Sequence, residues 1–274
     1  MVCPTPIGNL EDVTLRVLSA LREADVVACE DTRRSRKLLD RHGVDAKLVS
    51  YHEHNEQQRA QDLVDRMKAG ETVALVSDAG MPLISDPGFV LVRACVAAGL
   101  AVEVLPGPSA AVAAVVASAL PAERWRFAGF LPRKKGDLRR VLSESGGTLV
   151  AFESPRRVPA TLSLLAQIDP ERQVAVCREL TKIHEEVVRG SAAELVERYG
   201  GLAPKGEVVL VLGPSAADRG EGRGKAAGDD PVEPAGLEQV RRLVESGARP
   251  RAAAGVVAEL TGGSANALYR ALMG

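Results

Sequence analysis

The sequence predicts an α/β protein: two α/β domains followed by a small helical tail. Three observations predict it. Short apolar runs alternate with helical patterns through residues 1–120, as in a parallel sheet covered on both faces. From residue 121 to residue 213 the share of strand-like runs rises, which favours a second domain built on a mixed sheet. Residues 214–234, PSAADRGEGRGKAAGDDPVEP, are too rich in Gly, Ala, Pro and charge to build a core. They read as a flexible linker to a helical, helix-turn-helix-like tail at 235–274.

The elements follow in order. Residues 1–3 form a short first strand, ending in Pro4-Thr5-Pro6-Ile7-Gly8-Asn9. A helical pattern at 13–23 leads to a strand at 25–29, which runs into Glu30-Asp31-Thr32-Arg33. Helix 32–41 precedes strand 47–51, which ends in His52-Glu53-His54-Asn55. Helix 56–69 precedes strand 72–76 and the loop SDAGMPLISDPG at 77–88. Helix 90–98, strand 101–105, the loop Pro106-Gly107-Pro108-Ser109-Ala110 and helix 110–118 complete the domain, with Val112 to Val116 read as core. The second domain offers strands at 126–130, 148–152, 173–177, 185–188 and 207–212, and helices at 137–144, 158–166 and 192–198. Residues 237–273 read as two or three short helices, with a turn at 261–264 where Ser264 would cap the last helix.

Composition narrows the class. The chain has 274 residues and a formal net charge of -1, so no global field marks a nucleic-acid binder, although basic residues cluster locally. Its four cysteines are widely spaced and form no CxxC pair, which fits buried thiols in a reducing cytoplasm. The start, MVCPTPIGNL, has no basic stretch before an apolar core, and no run approaches a membrane span. A cytoplasmic protein is expected.

In open parallel sheets, ligands collect at the carboxyl ends of the strands. Three loops there, PTPIGN, SDAGMPLISDPG and PGPSA, are more elaborate than connecting turns require. Pro and Gly fix such loops and let backbone approach a ligand closely. Ser85 and Asp86 are placed to cap the following helix. Neither GxGxxG nor GxxxxGK[ST] occurs, so a ligand held without a phosphate cradle is expected.

The stretches TPIGNLEDVTLR, ACEDTRRSRKLL, VSDAGMPLISDPG, VEVLPGPSA, FESPRR and CRELTKIHEE, in that order, resemble the tetrapyrrole-methylase superfamily from about Thr5 to Gly213. Within it they resemble members that methylate a cytidine 2′-hydroxyl of 16S ribosomal RNA. The resemblance implies class III methyltransferase architecture and S-adenosyl-L-methionine bound in a cleft between the two domains. It implies that Pro6 and Gly8 line that cleft, that Gly80, Met81 and Ile84 hold the methionine part and the sulfonium, and that Ser109 and Ala110 contact the methionine part or the adenosine. Phe152 and Leu180 would close over the adenine. Met81 stands where the family commonly has Thr, a change that a backbone contact tolerates. The resemblance also implies a homodimer; little in the chain looks built to melt RNA, so a folded 30S subunit is the expected substrate.

A ribose hydroxyl must lose its proton during attack, so a general base helps; an activated methyl group needs no metal. The candidates are Glu30 and Asp31 after the second strand, Glu153 in FESPRR, and Glu179 and Lys182 in CRELTK. A helix cap or a surface ion pair is the alternative for each carboxylate. Arg33, Arg34, Lys134, Lys135 and Arg156 are candidate RNA contacts, or otherwise a solvated face. His52 and His54 could share a face, but with no third ligand no metal site is assigned. Two other functions stay open at this level: carbon methylation of a tetrapyrrole, and a nucleic-acid-binding regulator acting through the Arg-bearing tail.

Overall fold

A computed structural model of the chain describes residues 1–218, 234–261 and 265–273. Residues Met1–Ser215 form one compact unit and Ala216–Gly274 another. The first unit carries two sheets. Strands β1 (Val2–Cys3), β2 (Val26–Cys29), β3 (Leu48–Ser50) and β4 (Val73–Val76) are parallel and ordered β1-β4-β2-β3. Their side chains alternate between two cores. Cys3, Val27, Cys29, Ala74 and Val76 meet helices α1 (Leu15–Glu23) and α2 (Thr32–Arg41). Val26, Ala28, Val73 and Leu75 meet α3 (Glu56–Lys68) and α4 (Phe89–Ala97). Burial on both faces explains why these strands are apolar at every position.

The helices begin where side chains satisfy free amides. Thr14 accepts from Val17 N–H at 3.2 Å to start α1, and Asp31 accepts from Arg33 N–H at 2.8 Å to start α2. The strand expected at 101–105 is reduced to one parallel bridge from Val104 to Val2. Leu105 N–H donates to Val2 C=O at 3.0 Å there. With only two residues in β1, there is little edge for a longer partner to pair with.

Strands β5 (Trp125–Phe130), β6 (Thr148–Glu153), β7 (Gln173–Arg178), β8 (Glu186–Ser191) and β9 (Val208–Leu212) form the second sheet, ordered β5-β6-β9-β7-β8. Only β5 and β6 pair in parallel, so the sheet is mixed, as the sequence predicts. One face, with Leu149, Ala151, Val174, Val176, Leu210 and Leu212, meets α6 (Lys135–Ser143), α7 (Val158–Ile168) and α8 (Ala192–Tyr199). The opposite face, with Val150, Ala175, Cys177, Val209 and Val211, meets Ala111, Ala114 and Val115 of α5 (Ala110–Ser118). Helix α5 thus packs on the second sheet although it precedes residue 121. The reading of Val112 to Val116 as core also needs correction. Val115 is buried, but Val112 and Val116 are exposed, because their spacing of four puts them together on the face turned away from the sheet.

In the second unit, helices Pro234–Glu245, Pro250–Thr261 and Ala265–Met273 enclose Val240, Ala253, Ala254, Val257, Ala258 and Leu268. The Arg251 guanidinium lies 5.3 Å from the Tyr269 ring centroid, within cation–π range. Of the expected linker, residues 219–233 lie outside the described residues, as do the turn residues 262–264 with the expected Ser264 cap. Among the described residues no helix is long and apolar enough to cross a membrane.

Candidate active site

The loops after β1, β2 and β4, the start of α5 and the inner face of the second sheet enclose a cavity of about 520 Å³. The loop 77–88 is its principal wall. Gly80 N–H donates to Thr5 C=O and Thr5 N–H donates to Gly80 C=O, both at 2.9 Å. The Thr5 hydroxyl donates to Ser77 C=O and the Ser77 hydroxyl to Gly80 C=O, each at 3.0 Å. Gly80 has φ +81°, and a Cβ there would sit 3.4 Å from Ile7 Cγ2. Only glycine adopts that backbone freely while leaving the wall open. Leu83 and Ser85 also lie at positive φ, so the loop coils tightly before α4. Ser85 and Asp86 do not cap that helix. Gly88 is its N-cap and makes no side-chain bond, while the Asp86 carboxylate turns back to Ser77.

Gly80, Met81, Ile84, Ser109, Ala110, Phe152 and Leu180 all line the cavity. Pro6 and Gly8 do not. The Thr5–Gly80 bridge turns the first loop so that Ile7 enters instead, and Pro6 borders a separate pocket of about 50 Å³. Gly8 lies against the loop after β7, where a Cβ would come within 2.5 Å of Lys182 Cγ.

The candidate carboxylates separate by their partners. Asp31 caps α2 and holds Arg33 through both oxygens, at 3.1 Å and 2.9 Å, which keeps its carboxyl down at about 2. Glu153 is 3% exposed. It accepts from Ser154 N–H and the Thr161 hydroxyl, each at 2.7 Å, and pairs with Arg157 at 3.4 Å. Glu179 accepts from Lys182 Nζ at 2.8 Å and from Glu207 N–H at 2.9 Å, and these bonds hold its carboxyl low. Burial alone would lower Lys182, but its bonds to Glu179 and Glu207 outweigh that and hold it up. Neither Glu179 nor Lys182 lines the cavity. Glu30 and Glu153 do, and no hydrogen bond ties the Glu30 carboxylate to another described residue. Burial first, then the charge of Asp78, pushes its carboxyl up.

Sequence reasoning missed Asp78, Asp86, Glu207 and Phe130, all of which line the cavity. Burial, then the charges of Glu30 and Asp78, pushes Asp86 up to about 6. The two aspartates stood in plain view in SDAGMPLISDPG, where turn and cap chemistry explained them too readily.

Of the candidate RNA contacts, only Arg34 lines the cavity, where it pairs with Asp78 at 3.5 Å. Arg33 is occupied by Asp31. Lys134 and Lys135 open helix α6 and are exposed, as is Arg156. His52 and His54 stand 6.0 Å apart at their ring centroids, in a turn. His52 Nε2 is 3.2 Å from Asn55 Nδ2.

The walls are apolar, with backbone and carboxylates at the edges and one cation already paired. That chemistry suits a ligand with an apolar body and a positive charge. It does not suit a polyphosphate, which needs several free donors.

Known proteins place this architecture. The sequence profile described as Tetrapyrrole (Corrin/Porphyrin) Methylases matches residues 2–196. A Mesorhizobium japonicum protein named "Ribosomal RNA small subunit methyltransferase I" is 43% identical, over 98% of this chain and 89% of its own. A Halalkalibacterium halodurans protein of the same name is 49% identical, over 76% of this chain and 73% of its own. A crystal structure of uroporphyrin-III-C-methyltransferase from Thermus thermophilus superposes with a TM-score of 0.56 at 23% identity, covering 80% of this chain and 96% of that one.

Proposed function

This chain belongs to the tetrapyrrole methylase family, and on that premise we propose that it transfers a methyl group from S-adenosyl-L-methionine to small-subunit ribosomal RNA. The single observation that carries the reading is the 43% identity to a protein of that name across 98% of the chain. The target is the 2′-hydroxyl of a cytidine in 16S rRNA, presented by the 30S subunit in the cytoplasm. The likeness to a uroporphyrin enzyme, at 23% identity, supports the fold and not that substrate.

When bound, S-adenosyl-L-methionine supplies a methyl group already activated by a positive sulfur. Gly80, Met81, Ser109 and Ala110 would hold its amino-acid portion, and Phe152 with Leu180 would cover its adenine. The carboxylates Glu30, Asp78 and Asp86 give this end of the cavity a negative character that favours a cation. Of the five candidates for acid–base work, Glu30 takes the proton from the substrate hydroxyl. It lines the cavity, it is unbonded among the described residues, and burial raises its basicity in the direction a proton acceptor needs. The remaining work is orientation: holding hydroxyl and methyl in line lowers the barrier without further chemistry.

Exposed Lys134, Lys135 and Arg156 bind RNA phosphates. The chain acts as a homodimer, as members of the family it resembles commonly do.

The test uses a labelled methyl donor and 30S subunits from cells lacking the modification. Label is expected in 2′-O-methylcytidine after nuclease digestion of 16S rRNA. No label in ribose, with a control methyltransferase active on the same particles, overturns the reading.

A further inference from the structure

Phe130 is 64% exposed, although it borders the cavity. The reason lies in the strand. Phe127 pairs with Val150, but Phe130 pairs with Phe152, so β5 carries one residue more than its partner over that span. Gly129 lies inside this bulge at φ +63°. In a regular strand, residues three apart point to opposite faces. The extra residue cancels that alternation and returns Phe130 to the cavity side, as bulges near active sites re-aim side chains. Three rings then form an edge-to-face ladder: Phe127 to Phe152 at 4.9 Å between centroids, and Phe152 to Phe130 at 5.4 Å. Phe152 is half-buried inside the cavity and Phe130 stands at its rim. The rim is held in place, because Arg157 donates to Leu131 C=O at 3.1 Å and also to Pro132 C=O.

We infer that Phe130 is a substrate-binding residue that stacks on the nucleobase of the target nucleotide. The inference rests on the RNA reading above. A donor gripped in a cavity buries most of its surface, so a ring left open at the mouth serves the second reactant. The partner class follows from charge. Lys134 and Lys135 follow Phe130 within five residues and are exposed. An aromatic face beside phosphate-binding cations is how proteins hold a nucleotide splayed out of its stack. Methylating a ribose in a folded particle requires that nucleotide to be presented individually, and Phe130 gives its base a surface to rest on.

The experiment compares wild type with Phe130→Ala, Phe130→Leu and Phe130→Trp, measuring kcat/KM on 30S subunits and S-adenosylhomocysteine affinity by calorimetry. Loss of one base–aromatic stack predicts a fall of about 5- to 150-fold in kcat/KM for Phe130→Ala. Phe130→Trp should keep the wild-type value and Phe130→Leu should not, with S-adenosylhomocysteine affinity falling far less than kcat/KM in each. Unchanged kcat/KM in Phe130→Ala overturns the inference, as does equal rescue by Leu and Trp. A loss of S-adenosylhomocysteine affinity that matches the loss of turnover also overturns it, since the ring would then belong to the donor site. A wild type that labels no rRNA removes the RNA reading itself, and this inference with it.

Discussion

Asp86→Asn tests the charge cluster in the cavity. The folded protein holds the Asp86 carboxyl at about 6, raised from 3.8 by burial first and then by Glu30 and Asp78. In the unfolded chain the group ionises near its ordinary value of about 3.9. Between those limits the folded state keeps a proton that the unfolded state has lost. Stability tied to this group is therefore full below about pH 4 and declines as pH rises to about 6. The rise from 3.8 to about 6 corresponds to about 3 kcal/mol. Asparagine has nearly the same shape and no charge, so it removes that decline. The variant's advantage over wild type should grow by about 3 kcal/mol from pH 4 to pH 8. Urea unfolding at a series of pH values reads it, followed by the fluorescence of Trp125, the single tryptophan, in β5. A gap that stays constant or narrows as pH rises refutes the reasoning. The same charge should favour a sulfonium, so wild-type affinity for S-adenosylmethionine should fall below about pH 6 while the variant's stays flatter.

Three other perturbations address separate parts of the molecule. Arg157→Ala removes the cation beside Glu153, a carboxylate 3% exposed, and thermal melting should record a loss of about 3 kcal/mol. Lys134→Ala with Lys135→Ala should raise KM for 30S subunits and reduce the slope of log affinity against log salt by about two, leaving donor affinity unchanged. Gly80→Ala forces a side chain onto φ +81° and against Ile7; a cost of about 1–2 kcal/mol is expected in urea unfolding, with calorimetry showing weakened donor binding.

Much of the fold was legible because burial on both faces leaves a periodic trace. Helices 32–41 and 110–118 begin and end where the sequence placed them, each starting on a side-chain cap that is a local signal. Strand 101–105 was not legible as a bridge. Its alternation looks strand-like, but pairing depends on the length of β1, which is remote in sequence. Val112 and Val116 were misread for a related reason. In a helix of Ala and Val every face is apolar, so the sequence cannot say which one the sheet takes.

The chemistry of the site was less legible than its walls. Of the backbone-shaping residues that the resemblance places in the cleft, Gly80 lines the cavity with Ser109 and Ala110, whereas Pro6 and Gly8 do not. Carboxylates are harder to read, because the same side chain can cap, pair or react. Asp31, Glu153 and Glu179 are each spoken for by partners: Arg33 for Asp31; Ser154, Arg157 and Thr161 for Glu153; Lys182 and the Glu207 amide for Glu179. Arg33, Ser154, Arg157 and Lys182 lie within four residues of their carboxylates, whereas Thr161 and the Glu207 amide are brought in by the fold. Glu30 is left available, and what keeps it so is again nonlocal, since its neighbour Asp31 takes Arg33 while Asp78 from the next loop engages Arg34. Two arginines that look from the sequence like ready partners for Glu30 are thus drawn to other acids. A carboxylate with no cation bonded to it in a partly buried cavity is costly to ionise, and that cost is what raises the Glu30 carboxyl.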